Sequence, residues 1–425
     1  MTSATHETAA ANRKAIVAGA AGNFVEWFDW SIYGYFAIYF SSQFFPKDDA
    51  TAGLLSTFLV FALGFFFRPL GGAILGSYAD RHGRKAGMAL TIFLMAGSSL
   101  LIGLLPTWGQ VGVLAPILLV LARIVQGFSA GGEFGTSSAF MVEKASPGRR
   151  GFIGSWQQVS VALGALGASG MAAIMFRVLS TEQLESWGWR VPFILGGILG
   201  LLGLWLRMSV HDTAAFTELK QQGKVVRSPL LEVVRRYPGA CLRVVGIVAA
   251  GSVTYYVWLT YMPTFAHSRA QAALADAQLA TTITLIVFCC LLPFTGALSD
   301  KVGRRPVLLA FSLGSALAIP FLMGMVGSTF ASVLIPSLIG AALLSLYSGC
   351  LAAVMAEQFP PEVRTVGISL PYGIAVAIFG GLTPYLVTYL MQVDNYVMFI
   401  VYACAVCLAS AATYYTLPET KDKEL

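Results

Sequence analysis

Long apolar runs separated by short charged stretches dominate the chain. They fall at 16–40, 54–78, 86–105, 114–141, 151–176, 191–208, 241–266, 278–298, 307–326, 331–355, 365–391 and 396–416, each close to the roughly 20 residues that cross hydrocarbon as a helix. The runs do not alternate apolar with polar positions. They therefore predict helices and not the strands of a barrel, because a helix satisfies every backbone N–H and C=O within its own segment. The first run follows a polar, Ala-rich start with Arg13 and Lys14. It outlasts the roughly 7–15 apolar residues of a cleavable leader, so it is expected to stay as the first span.

Composition points the same way: 56% of the 425 residues are hydrophobic and 11% are charged, against about 25% charged in soluble domains. With the N-terminus inside, alternate loops carry Arg81, Arg84, Lys85, Lys144, Arg149 and Arg150, then Lys220 to Arg236, Lys301, Arg304, Arg305, Arg364, Lys421 and Lys423. The opposite loops hold only Lys47, Arg177, Arg190 and Arg269. This asymmetry places both termini in the cytoplasm and requires an even number of spans. It also accounts for the net charge of +6 without a nucleic-acid partner. All six cysteines lie in apolar runs, and Cys404-x-x-Cys407 has no companion pair or histidine, so packing is expected there and no metal site. His6, His82, His211 and His267 lie in the tail or loops. With no Ser/His/Asp, Cys/His or metal constellation, the chain is not expected to be an enzyme or to carry a cofactor.

The segment Gly-Ser-Tyr-Ala-Asp-Arg-His-Gly-Arg-Lys at 76–85 returns 220 residues later as Gly-Ala-Leu-Ser-Asp-Lys-Val-Gly-Arg-Arg at 296–305. A second echo follows each copy, Glu143 to Arg150 after span four and Glu357 to Arg364 after span ten. Two landmarks in the same order divide the chain into a tail 1–15, a six-helix half 16–208, a polar linker 209–240 with one surface helix, a second half 241–416 and a tail 417–425.

The doubled G-x-x-x-D-x-x-G-R-[KR] motif between membrane helices resembles the signature of the major facilitator superfamily, and the resemblance covers the whole chain. It implies an all-α integral membrane protein, with twelve transmembrane helices in two pseudo-symmetric six-helix halves. It also implies that Asp80 faces the positive N-terminus of another helix, that of span eleven, while Arg84 meets the acid at the end of span four, Glu143. Asp300, Arg304, Glu357 and Arg364 are the second set of such gating residues.

Charges inside spans are costly and are retained for function. Span one holds Glu26, Asp29 and Tyr33 on one helix face, with Asn23 a turn earlier. Span two holds Arg68, and span four holds Arg123, Gln126 and Glu133. Glu133 is the first candidate proton carrier and Asp29 the second, with Glu26 beside them. Arg123, Gln126, Asn23, Tyr33 and Gln157 are candidate substrate ligands, joined from the second half by Tyr255, Tyr256 and Tyr372. Arg68 and Glu26 are also candidates for a purely structural pair. Gly127, Gly131 and Gly135, and Gly164, Gly167 and Gly170, are expected to let helices approach closely.

A finer resemblance rests on Gly-Asn-Phe-Val-Glu-Trp-Phe-Asp at 22–29, Arg-Ile-Val-Gln-Gly-Phe-Ser-Ala-Gly-Gly-Glu-Phe-Gly at 123–135, Trp-Gly-Trp-Arg-Val-Pro-Phe at 187–193 and Ile-Phe-Gly-Gly-Leu-Thr-Pro at 378–384. These runs look like the metabolite:proton symporter family, and within it most like α-ketoglutarate and citrate permeases. Span five lacks the Gly-Pro pair of drug–proton antiporters. The resemblance implies a monomer in the plasma or inner membrane, driven by the proton gradient, that takes up a small carboxylate with a proton by alternating access. Proline, betaine or a shikimate-like acid is the alternative cargo, since the tyrosines also suit a quaternary ammonium. A receptor that binds without transporting is the rival class.

Overall fold

The computed structural model describes residues 2–45, 50–82, 84–131, 134, 135, 138, 141, 142, 145, 148–208, 229–360 and 363–421. No strand occurs among them. Among the described residues, eight helices are long and apolar enough to cross a bilayer. The bent pair Thr181–Gly188 and Arg190–Trp205 makes a ninth, and Ala89–Leu104 and Leu114–Ala130 are shorter apolar helices. Together with Thr2–Phe44, these are the twelve expected segments in their expected order. We name them α1 (Thr2–Phe44), α2 (Ala52–Leu75), α3 (Arg84–Leu104), α4 (Leu114–Ala130), α5 (Arg150–Val178), α6 (Arg190–Met208), α7 (Pro238–Ala270), α8 (Leu274–Val302), α9 (Arg304–Met325), α10 (Phe330–Ala356), α11 (Arg364–Gln392) and α12 (Tyr396–Thr416).

The helix of α1 starts at Thr2, so the backbone shows no break at the expected tail boundary. In the linker, Pro229–Arg236 forms the one short helix described, with Val233 buried and Glu232 paired to Arg236 at 3.0 Å. The seventh span begins at Pro238, three residues before the expected 241.

Three proline-associated irregularities shape the centre. The helix of α2 breaks at Phe67 and resumes at Arg68, where Pro69 supplies no N–H to the ladder. In α7 the segment Tyr256–Tyr261 winds as a π-helix just ahead of Pro263, and in α11 Val376–Gly381 does the same ahead of Pro384. Wide turns of this kind are frequent at functional sites.

The halves meet chiefly along two pairs of helices, α5 with α8 and α2 with α11, and α10 also packs against α5. Six-helix symmetry exchanges these two pairs, as the sequence repeat requires. Small residues set the close crossings: a Cβ on Gly127 would overlap the Gly64 carbonyl, and one on Gly151 would overlap the Gly296 carbonyl. Gly164 lies against the backbone of Phe24, whereas Gly170 has nothing within 4 Å and serves no such contact.

Candidate functional site

Glu26, Asp29, Arg68 and Arg123 are buried within the spans of the first half, with relative exposures of 3%, 1%, 4% and 0%. The three-residue spacing of Glu26 and Asp29 sends both carboxylates to the same side of α1, where α2 and α4 deliver the two arginines. Glu26 meets Arg68 Nη2 at 3.3 Å. Asp29 accepts hydrogen bonds from the Ser99 hydroxyl on α3 and the Gln126 amide on α4. Gln126 in turn accepts from Arg123 Nη1 at 2.7 Å. The acid on α1 and the base on α4 are thus linked through an amide and not by a direct bridge.

One indole carries both bases. The Arg68 guanidinium carbon lies 4.3 Å from the Trp30 ring centroid and that of Arg123 lies 4.1 Å from it. Phe65 adds to the Arg68 side at 4.5 Å, and Tyr33 to the Arg123 side at 4.2 Å. Aromatic faces stabilise a desolvated cation by about 2 kcal/mol and leave its edge N–H groups available. Arg123 Nε and Nη2, Arg68 Nε, both amide atoms of Gln157, and the hydroxyls of Tyr255 and Tyr256 are all buried without a hydrogen-bond partner among the described residues. Burying donors in this way costs about 1–3 kcal/mol each, so the gathering of Arg68, Arg123, Tyr255 and Tyr256 is the strongest sign of a ligand site.

The second half closes this cluster. Tyr255 packs edge-on against Trp27 at 5.6 Å, and Tyr372 stacks on Phe134 at 3.8 Å. A cavity of about 30 Å³ lies among Trp27, Gln158, Ser252, Tyr255, Tyr256, Tyr347, Ser348 and Tyr372. That volume admits a water or two and no organic acid. A larger recess of about 550 Å³ against Phe28, Met171, Trp187 and Val191 has no ionisable side chain in its lining. The polar cluster, and not this apolar recess, is therefore the candidate site.

Several expected ligands have other bonds. Tyr33 donates its hydroxyl to the Thr57 carbonyl at 3.0 Å and offers only its ring to Arg123. Asn23 donates to Ser160 at 3.3 Å. Glu133 and Glu143 lie outside the described residues, as do the side chains of Asp80 and Arg84.

At the motif end the second copy is complete. Asp300 accepts the backbone N–H groups of Gly151 and Phe152, both at 2.8 Å, at the N-terminus of α5. Arg304 donates to Asp300 at 2.7 Å and to Glu357 at 3.3 Å. Glu357 also lies 4.0 Å from Arg150 of the other half. Arg364 is buried and donates to the carbonyls of Ala356 and Phe359. The relation implied for Asp80, Arg84 and Glu143 thus appears in Asp300, Arg304 and Glu357.

Sequence reasoning missed the clasp added by the C-terminal tail. Glu419 accepts the N–H groups of Arg304 and Arg305, capping α9, and Thr420 donates to Glu357. Partial burial raises the Glu419 carboxyl, but the backbone N–H groups of Arg304, Arg305, Lys421 and Thr420 outweigh it and hold the carboxyl below its ordinary value. Burial pushes Glu357 up, against the pull of Arg304, Thr420 and Arg150. Trp30, Ser99 and Gln158 were also missed; an aromatic or a serine in an apolar run carries no signal of its own.

At the opposite end the halves are joined more loosely. Gln278 on α8 donates to Ser169 on α5 at 2.8 Å, Tyr35 donates to the Leu259 carbonyl at 2.6 Å, and Arg177 pairs with Asp276 at 2.9 Å with both side chains about half exposed.

Comparison with known proteins agrees with this architecture. The family model for "Sugar (and other) transporter" matches residues 14–232 and that for "Major Facilitator Superfamily" matches 267–425. The chain is 40% identical to the α-ketoglutarate permease of Escherichia coli over 87% of its own length and 85% of that protein. It is 34% identical to the citrate-proton symporter of Klebsiella pneumoniae (89% and 85%) and 33% identical to the proline/betaine transporter of Escherichia coli (97% and 85%). The fold superposes on a crystal structure of a D-xylose-proton symporter with a TM-score of 0.71 at 20% identity, covering 97% of this chain and 99% of that one. A doubled motif, six helices repeated and relatives that align over nearly the whole length lead to one conclusion: the chain is a multi-pass membrane transporter and belongs to the major facilitator superfamily.

Proposed function

We propose that the chain imports a small organic acid, a di- or tricarboxylate of the α-ketoglutarate or citrate kind, together with protons. The observation that carries this reading is Arg123, which is fully buried and has Nε and Nη2 without a hydrogen-bond partner among the described residues. Planar paired N–H donors match a carboxylate, and a guanidinium keeps its charge where water is excluded. Asp29 carries a proton: its hydrogen-bonded link through Gln126 to Arg123 joins protonation to anion binding. The names of two relatives, an α-ketoglutarate permease and a citrate-proton symporter, support the cargo class.

In this reading the motif end is cytoplasmic, with both termini there, and Asp300, Arg304, Glu357 and Arg364, with their first-half counterparts Asp80, Arg84 and Glu143, hold it shut. Glu26 and Glu133 are further proton-coupling groups, the halves span 16–208 and 241–416, the chain acts as a monomer, and the proton gradient is its only co-reactant. Release inward follows when the halves rock about the bound acid. A second reading, a zwitterion such as proline or betaine, is favoured by the tyrosine-lined cavity and by the proline/betaine relative. Uptake into proteoliposomes under an imposed pH gradient, with α-ketoglutarate, citrate, shikimate, proline and betaine in parallel, tests both. Accumulation of a carboxylate alone supports the first reading; accumulation of betaine or proline alone supports the second and overturns the first.

A further inference from the structure

Resting on that carboxylate reading, we infer that Arg68 is a second anion subsite, kept closed by Glu26, and that a proton on Glu26 opens it, so that a diacid travels with one proton more than a monoacid.

The geometry of Trp30 is the starting point. Two guanidiniums stand 4.3 and 4.1 Å from one ring centroid, which puts both within reach of the two ends of a single small diacid. Both are more than nine-tenths buried. Arg123 has spare donors among the described residues; Arg68 has Nε unbonded and spends Nη2 on Glu26 as an ion pair at 3.3 Å. Two like charges on one indole, with a carboxylate neutralising only one of them directly, leave an anion-shaped deficit when Asp29 is protonated.

Glu26 decides whether Arg68 joins in. While ionised, it competes for the guanidinium with an incoming carboxylate at close range, and two carboxylates on one buried cation repel each other. A proton arriving on Glu26 converts it to a neutral acid, the ion pair opens, and Nε and Nη2 turn to the second carboxylate of the substrate. The charges then balance: a dianion enters with one proton on Asp29 and one on Glu26, while a monoanion occupies Arg123 and needs only the proton on Asp29. The groups facing Glu26 include Arg68 from α2, Tyr256 from α7 and Tyr372 from α11, with Asp29 one turn further on its own helix. Arg68 pairs with it directly at 3.3 Å. Tyr256 and Tyr372 lie within electrostatic range of both Arg68 and Glu26 and also line the central cavity, so the subsite adjoins the space that must widen to admit substrate.

The test uses the purified full-length chain in weakly buffered solution, with 2-oxoglutarate as diacid and 2-oxobutanoate as monoacid, and a pH dye to count protons taken up per acid bound. The wild type is expected to take up about one proton more with the diacid, as linkage requires. Glu26→Gln is expected to abolish that difference, and Arg68→Gln to lower the diacid-to-monoacid affinity ratio at least tenfold. If Arg68→Gln does not fold, Glu26→Gln/Arg68→Gln buries no lone charge and reads the same ratio. Equal proton uptake for the two acids, a difference that survives Glu26→Gln, or an unchanged affinity ratio overturns the inference while leaving the carboxylate reading in place. Failure of the wild type to bind either acid overturns the carboxylate reading itself, and the inference with it.

Discussion

Replacing Asp300 by Asn probes the contact between the halves at its most ordered point. Asp300 takes two backbone N–H groups at 2.8 Å from the first turn of α5 and the Arg304 guanidinium at 2.7 Å, and it lies where the positive end of a helix dipole adds to the attraction. Hydrogen bonds to a charged acceptor contribute about 1.5–3 kcal/mol each. Asn keeps one acceptor oxygen and presents an NH₂ to the other backbone donor, so about 2 kcal/mol of closed-state stability is lost. At 1.4 kcal/mol per factor of ten, the closed-to-open ratio at this end should fall about 30-fold. Spin labels near Gly148 and Val302, on either side of this contact and in a background without native cysteines, report the separation by pulsed dipolar spectroscopy. The long-distance population should grow in Asp300→Asn and not in Lys301→Gln, whose side chain is exposed. Indistinguishable distance distributions for Asp300→Asn and wild type would refute the argument that this carboxylate holds the halves together.

Four further outcomes are expected. Arg123→Lys, which trades a planar fork for a point charge, should weaken carboxylate binding about 10- to 100-fold, equivalent to the roughly 1.5–3 kcal/mol of a charged hydrogen bond, by calorimetry; unaltered affinity removes Arg123 from the site. Asp29→Asn should end pH-driven accumulation while substrate counterflow persists, and accumulation equal to wild type in the same vesicles contradicts the assignment. Gly127→Leu should cut the yield of folded protein or lower Tm by several degrees, since its side chain would enter the Gly64 backbone; a wild-type melting curve would show that α2 and α4 can separate freely. Because Glu419 is held below the ordinary carboxylate value, its contribution is present above the unfolded pKa and lost as pH falls through the folded one. Tm should therefore drop on acidification below the ordinary carboxylate range in wild type and drop less in Glu419→Gln, with parallel pH profiles counting against the clasp.

Architecture was legible in the sequence wherever it is imposed by lipid. Twelve apolar runs became twelve helices because no other structure satisfies their backbones, and the repeat at 76–85 and 296–305 anticipated the symmetry of the contacts. The motif contacts were expected on both copies; those of Asp300, Arg304 and Glu357 are described, while Glu143 and the side chains of Asp80 and Arg84 lie outside the described residues. The site was legible in its charges, since burying Glu26, Asp29, Arg68 and Arg123 is too costly to be incidental. What it could not reveal was partnership. Glu26 and Arg68 were already candidates for a pair, but nothing in the spacing of α1 says that Asp29 reaches Arg123 through Gln126 or that Tyr33 spends its hydroxyl on Thr57; those follow from how α2, α3 and α4 dock. Glu419 went unnoticed for the same reason, because capping α9 requires a tail that folds back 115 residues later in the chain.

The wide turns of α7 and α11 bear on how such a chain is read. One extra residue in a helix swings everything beyond it by about 100° about the axis. A face counted in steps of three and four from Tyr255 therefore no longer points the same way after Tyr261, and the stretch from Met262 to Ala270 follows a register of its own. A helical wheel drawn through all of Pro238–Ala270 places its far end on the wrong side, and two wheels, one on each side of the wide turn, are needed to assign its faces.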